Sequence, residues 1–505
     1  MFTRAISRLT GFQYSGLHPT VLIMSGWLFI VMQLQVYHLW NPVNMQAHLL
    51  VWLITLLLAS VQLKTIVKDA ITSLHQVASK KHLVFGLILL ATVILNICTR
   101  NADGDIGDYH LQAIRWIEEY KVVPGIGNIR RQLGNNSNWF LLNAFGGMHF
   151  LGLRSMYTIN ACFVLMCGLY VVPQLSQPFW LRNFFLLLYF AVVATRKYTG
   201  AVTNDVAVTG TTIILFCWFT DIALSAHKRP FELLLIVILS VSLITYKLSA
   251  LPMLIFAAGV LWVMLKHQLV TIKTITILAI TCLVLFIPWM IINLFHSGYL
   301  LFPIKGTDLV NVDWKMSSGI IDYEKYANLA YARAPLVDIE TSRYYSFYQW
   351  FPLWIRSLDA FSGLLLSGCA FFLALMFLLL AFSRKTRQVF KDGYYGVIAL
   401  TSIAALLLWF THGPTPRFVF GYLVFINAMG VALLNAAFLN RLLYKHKYKI
   451  AGAVMVVLLS GFTYQHFSFG LLQQALVLPK PYMQPKLTIK AVDGGSINMP
   501  QPNQQ

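Results

Sequence analysis

Three carboxylates, Asp103, Asp105 and Asp108, fall within the polar island Asn101-Ala-Asp-Gly-Asp-Ile-Gly-Asp-Tyr-His110, in a chain with only 18 Asp and Glu among 505 residues. A carboxylate so placed can accept the proton of an attacking hydroxyl, and two neighbours can hold a hard divalent ion through oxygen ligands. The plainer reading is helix capping, for which Asp108 is better placed than Asp105, which lies ahead of the helix start. Further on, Asp205 enters the end of an apolar run, where a carboxylate is expensive unless it meets a cavity or a partner such as Arg196 or Lys197. Lys247 stands alone between two apolar stretches; snorkelling explains it as well as contact with a lipid phosphate does. Arg417, in His412-Gly-Pro-Thr-Pro-Arg-Phe418, is aimed by two prolines and offers a rigid fork to phosphate oxygens. Arg130 and Arg131 add positive charge to the same face. Together these residues describe carboxylates and phosphate-binding cations at the rim of a bilayer.

The elements that must position them are membrane helices. Hydrophobic residues make up 58% of the chain and charged ones 11%, and the mean hydropathy is +0.67, far from the balance of a soluble domain. Runs of about 17–25 apolar residues match the length a helix needs to cross hydrocarbon. They predict an all-α polytopic protein of about 13 spans, near 20–39, 47–63, 82–98, 155–173, 182–195, 202–224, 231–246, 249–265, 273–295, 357–382, 393–411, 416–438 and 449–471. The first is expected to be a retained helix and not a cleaved signal. Lys and Arg collect in the short loops at Lys64–Lys81, Lys228/Arg229, Lys266/Lys273, Arg384–Lys391 and Arg441–Lys449, which fall on one side if residues 139–151 do not cross. The expected topology is an N-terminus in the cytoplasm and a C-terminus outside. The net charge of +20 is then mostly an anchor signal, with no soluble basic face for nucleic acid. The six cysteines form no CxxC pair and read as small core residues.

Two long segments leave the membrane on the outer side, about 99–154 and 296–356, and a polar, weakly ordered tail begins near 476. In the first, Leu111, Ile114, Ile117 and Tyr120 recur at near-helical spacing, Pro124-Gly-Ile-Gly127 ends that helix, and Ser137 can cap a second, apolar one. Both are expected to be interfacial helices. The chain divides into N-terminal spans (1–80), a core (81–296), an outer loop (297–356), C-terminal spans (357–475) and the tail (476–505).

The order of these parts resembles the GT-C superfamily of membrane glycosyltransferases, carried by Asp103-Gly-Asp105-Ile-Gly-Asp108-Tyr-His110 just beyond a span in the first long outer loop. More narrowly, Tyr109–Tyr120, Val123-Pro-Gly-Ile-Gly-Asn128, Lys247-Leu-Ser249, Ser297-Gly-Tyr-Leu-Leu-Phe-Pro303, Asp313-Trp-Lys315 and Pro416-Arg-Phe418 look like a bacterial family of large membrane proteins with a GT-C-like layout, over about residues 80–440. The resemblance implies transfer of a sugar from a polyprenyl-phosphate donor to an acceptor hydroxyl of a glycan, lipid or protein, outside the bacterial inner membrane. Asp105 takes the place of the catalytic Asp, with Asp103 or Asp108 assisting. Lys247, Arg417 and Arg131 would bind the donor phosphate, and His110, Asn128, Asp205 and Asn293 the substrates. Asn293 lies in Ile292-Asn293, where an Arg-Asn pair is expected. A divalent cation, Mg²⁺ or Mn²⁺, is left open, with Asp103 and Asp105 as its ligands. Two alternatives stand beside this reading: an O-antigen polymerase or ligase, which would lean on Arg333 and Arg343, and a transporter or lipid flippase.

Overall fold

The computed structural model describes residues 1–505 apart from 14–15, 62, 78, 100–108, 152–157, 177–178, 226–228, 439–448, 451, 455, 458–459, 462–486, 493–494 and 501–505. The N-terminal part forms α1 (Phe2–Thr10), α2 (Pro19–His38), α3 (Met45–Ser60), α4 (Leu63–Val77) and α5 (Lys80–Thr99). The first long loop carries α6 (Leu111–Glu119), α7 (Ile126–Ile129) and α8 (Asn138–Gly147). Then come α9 (Ile159–Val171), α10 (Trp180–Ala194), α11 (Asp205–Ala223), α12 (Pro230–Tyr246), α13 (Pro252–Lys266) and α14 (Ile272–Ser297). The second long loop holds α15 (Ser318–Arg333), α16 (Ile339–Ser342) and α17 (Phe347–Ser357), and α18 (Ala360–Phe382), α19 (Arg384–Lys391), α20 (Tyr394–His412) and α21 (Phe420–Phe438) follow. Within the tail, β1 (Leu487–Val492) and β2 (Gly495–Pro500) pair as an antiparallel hairpin, with Leu487 opposite Pro500.

The helices make this a membrane protein, but about thirteen full-length spans are not found among the described residues. Six stretches are long and apolar enough to cross: α2, α11, α14, α18, α20 and Leu248–Lys266, which ends in α13. The helix α3 and the start of α4 would make a seventh, yet they meet at a 97° break. Five shorter apolar helices account for most of the difference, and the last expected span, 449–471, lies mostly outside the described residues. The physical reason is visible in α12, whose residues from Phe231 to Tyr246 are almost all buried against α8, α11, α13 and α14. A helix surrounded by protein is apolar all round, and lipid thickness does not set its length.

Two further expectations change on packing. Helix α8 is no surface helix: Trp139 donates through Nε1 to Asn160 Oδ1 at 2.7 Å, Asn138 donates to Gln35 Oε1 at 2.9 Å, and most of its side chains are buried. Helix α6 turns Ile114 and Ile117 inward as its spacing predicts, but His110 and Glu118 are buried as well, and Tyr120 is exposed. Ahead of residue 80, Phe2 and Ile6 of α1 and Val21 and Leu28 of α2 share one continuous core with Phe216, Leu235 and Phe425.

Alternating helix directions give the bundle two unlike ends. At the first, Arg4 pairs with Asp69 (2.6 Å), Arg229 with Glu232 (3.2 Å) and the fully buried Arg182 with Asp221 (2.9 Å). The guanidinium of Arg182 also donates to Thr220 Oγ1 and Asn183 Oδ1. At the second end lie the two long loops and the turn between α20 and α21.

Candidate functional site

At that second end, the first residue of α11, the residue after α12 and the turn before α21 bring three charges together. The carboxylate of Asp205 accepts a hydrogen bond through Oδ1 from Lys247 Nζ, while its Oδ2 lies 3.7 Å from Arg417 Nε. These are its ionic partners; its neighbour Arg196 is not one of them. Lys247 Nζ also sits over the Phe418 ring, 4.2 Å from its centroid, and the Arg417 guanidinium lies 5.4 Å from the same ring. One aromatic ring thus neighbours two cations. His110 lies within electrostatic reach of Asp205, and its ring is tilted against that of Phe140, 5.3 Å between centroids. Asp205 thus lies between two basic side chains.

The backbone that aims these side chains is itself tied down. The carbonyl of Tyr246, last residue of α12, accepts hydrogen bonds from Ser137 Oγ (2.7 Å) and Asn204 Nδ2 (2.8 Å). Ser137 is the residue before α8, and its side chain also accepts from the amide of Trp139. Asn204 is the residue before Asp205. One carbonyl therefore joins the starts of α8 and α11 to the end of α12, and sets Lys247 opposite Asp205. On the other side the turn before α21 is held by Trp354 and Trp409, whose indole nitrogens donate to the carbonyls of Pro414 (2.7 Å) and Thr415 (2.8 Å).

Asp205 and Arg417 open onto a cavity of about 410 Å³. Its charged lining residues are Arg196, Asp205, Asp359 and Arg417, and most of its wall is apolar, with Phe163, Val193 and Phe420 among it. Tyr189 of α10 stacks on Phe361 of α18, 6.4 Å between centroids, along one side. The second long loop covers the rim with Tyr331, Ala332 and Pro335. In that cover Arg333 lies over Trp350 (4.8 Å) and Arg343 over Tyr326 (4.1 Å). Asp338 caps α16, and the Thr341 hydroxyl and amide together with the Glu340 amide hold its carboxyl below the ordinary aspartate range. Such a cavity can take an anionic head at the top and a hydrocarbon chain below.

Other residues singled out by sequence are placed elsewhere or not described. Asp103, Asp105 and Asp108 lie outside the described residues. Arg131 does not join Lys247 and Arg417; its Nε binds Glu324 Oε2 at 2.6 Å, and its guanidinium lies over Tyr323. Asn128 donates to the Trp314 carbonyl at 2.8 Å, beside a ring stack of Trp314 on Phe295. The Gly125 amide donates to the Phe295 carbonyl and the Met316 amide to that of Ser297. Three of the quoted sequence motifs thus meet in one architectural knot joining both long loops to the end of α14. Gly298 belongs to that knot: it has a φ of 83°, and a Cβ there would fall 2.8 Å from the Lys315 backbone. Asn293 is buried in α14. Sequence reasoning passed over Asp359 and Tyr331, whose signal was only their presence next to a span or in an aromatic-rich loop. Among the described residues no three His, Cys, Asp or Glu side chains converge as metal ligands do; the two carboxylates expected to hold a cation lie outside them.

No curated protein and no solved structure matches the chain. A family model does, over residues 2–424, a stretch that takes in the helices ahead of residue 80, both long loops and the Asp205, Lys247 and Arg417 cluster. The chain belongs to the family described as a domain of unknown function, DUF8201.

Proposed function

We propose that the protein is a membrane glycosyltransferase that moves a sugar from a polyprenyl-phosphate donor to an acceptor hydroxyl at the outer face of a bacterial plasma membrane, its N-terminus cytoplasmic and its C-terminus outside. The observation that carries this reading is a cavity lined by Arg196 and Arg417, with Lys247 paired to its lining carboxylate Asp205, and a wall that is otherwise mostly apolar. A soluble sugar phosphate has no use for the second feature, and a neutral lipid none for the first. In the reaction, the acceptor oxygen attacks the anomeric carbon, its proton passes to the Asp105 carboxylate, and the sugar–phosphate C–O bond breaks with its electrons moving to phosphate. A singly charged phosphodiester becomes a doubly charged monoester, and Lys247 and Arg417 stabilise the charge that develops in a water-poor setting. Asp105 is five residues from His110 along the chain, a reach of at most about 18 Å, and His110 lies within electrostatic reach of Asp205. Asp103 or Asp108 assists by orienting the acceptor.

The test is sugar transfer from a radiolabelled polyprenyl-phosphate donor by the purified chain in lipid nanodiscs. Asp105→Asn should abolish it, and Lys247→Ala or Arg417→Ala should lower it by about 10²–10³-fold, the size of losing one donor to a developing oxyanion. Transfer by Asp105→Asn at the parent rate would end the reading.

A further inference from the structure

We propose that Asp205 is a resident counter-ion that stands where the donor phosphate binds, and that it weakens the grip of the site on the doubly charged product. The inference rests on the phosphate reading above and adds a role for Asp205 in its cation cluster. Lys247 and Arg417 come from different helices and share the Phe418 ring. Two such cations in a half-buried setting repel each other unless an anion lies between them. Asp205 supplies that anion with one oxygen to each, and its side chain is the least exposed of the three, at 15% against 23% for Lys247 and 29% for Arg417. Its link to Arg417 is an ion-pair distance of 3.7 Å, longer than the 2.7–2.9 Å or so of a charge-assisted hydrogen bond. The guanidinium is therefore attracted by the carboxylate without being clamped by it.

An arriving phosphate must share these cations with a fixed negative charge. The repulsion from Asp205 scales with the charge on the ligand, so it acts about twice as strongly on a monoester dianion as on a phosphodiester monoanion. The donor arrives as the second and leaves as the first. Asp205 thus keeps the cations together when the site is empty and biases the filled site toward release.

The experiment is equilibrium binding of a short-chain isoprenyl monophosphate, and of its methyl phosphodiester, to the full chain in nanodiscs at low salt and pH 7.5. Asp205→Asn should bind the monophosphate roughly tenfold more tightly than the parent and the diester by a smaller factor, and Asp205→Glu, which restores the charge, should return toward parent affinities. Asp205→Ser repeats the measurement if the Asn variant does not accumulate. Equal or weaker monophosphate binding by the neutral variants, with Lys247→Ala still weakening the parent, overturns the counter-ion role and leaves the phosphate site standing. Monophosphate binding that ignores both Lys247→Ala and Arg417→Ala overturns the phosphate site itself, and this inference with it.

Discussion

At the residue scale the two ends of the bundle hold charge in opposite ways. Asp205 shares two cations at a cavity rim, whereas Arg182 is sealed, wholly buried, and its donors go to Asn183, Thr220 and Asp221. Removing one member of a buried pair leaves the other uncompensated, at a cost of about 3–5 kcal/mol. Arg182→Ala should therefore lower the thermal unfolding midpoint markedly in detergent, while the protein that remains folded binds isoprenyl monophosphate as the parent does. An unchanged midpoint would mean that Asp221 finds other compensation. The sequence made Asp205, Lys247 and Arg417 legible one at a time, because a lone charge in an apolar run is conspicuous. It did not show that they are partners, since helix packing brings together residues that lie far apart in the chain. Arg131 shows the converse: it carries the right charge, and Glu324 takes it to another place.

At the element scale, cluster geometry depends on how closely α11 and α21 approach. Asp205, Thr209 and Thr212 lie on one face of α11 at helical spacing, and Gly421 follows Arg417 by four residues. A Cβ on Gly421 would fall 3.0 Å from Thr212 Cβ and 3.2 Å from the Thr209 carbonyl oxygen. Small residues here let two helix backbones meet, as is common inside membranes. Gly421→Leu should overpack this contact by about 1–3 kcal/mol and shift the turn carrying Arg417, so that monophosphate binding falls several-fold and the unfolding midpoint drops together. A variant that lost neither would show that the turn is held by Trp354 and Trp409 alone. Helix α8 marks a limit of element-scale reading. Its short apolar run suits a membrane surface as well as a protein interior, and only the positions of Gln35, Asn160 and Tyr246 decide between them.

At the scale of the whole molecule, hydropathy revealed a helical membrane protein; among the described residues six stretches are long and apolar enough to cross and five more apolar helices are shorter, since a window of apolar residues does not distinguish lipid from a neighbouring helix. The charge pattern gives an orientation that can be checked directly. A cysteine at Leu336, which is 92% exposed in the second long loop, should react with a membrane-impermeant maleimide added outside right-side-out cells. One at Thr386, in the basic helix α19, should react only after the membrane is opened; the reverse pattern would invert the proposed topology. The cavity bears on one last matter. If the proposed polyprenyl-phosphate donor binds there, about 410 Å³ encloses a head group and the nearest carbons and leaves the remainder of a long isoprenoid dissolved among acyl chains. Such a ligand is confined to a thin sheet before it meets the protein, and confinement raises its effective concentration without any new contact. A grip that would be too feeble for a compound dissolved in the surrounding water is then sufficient for occupancy and gentle enough for turnover.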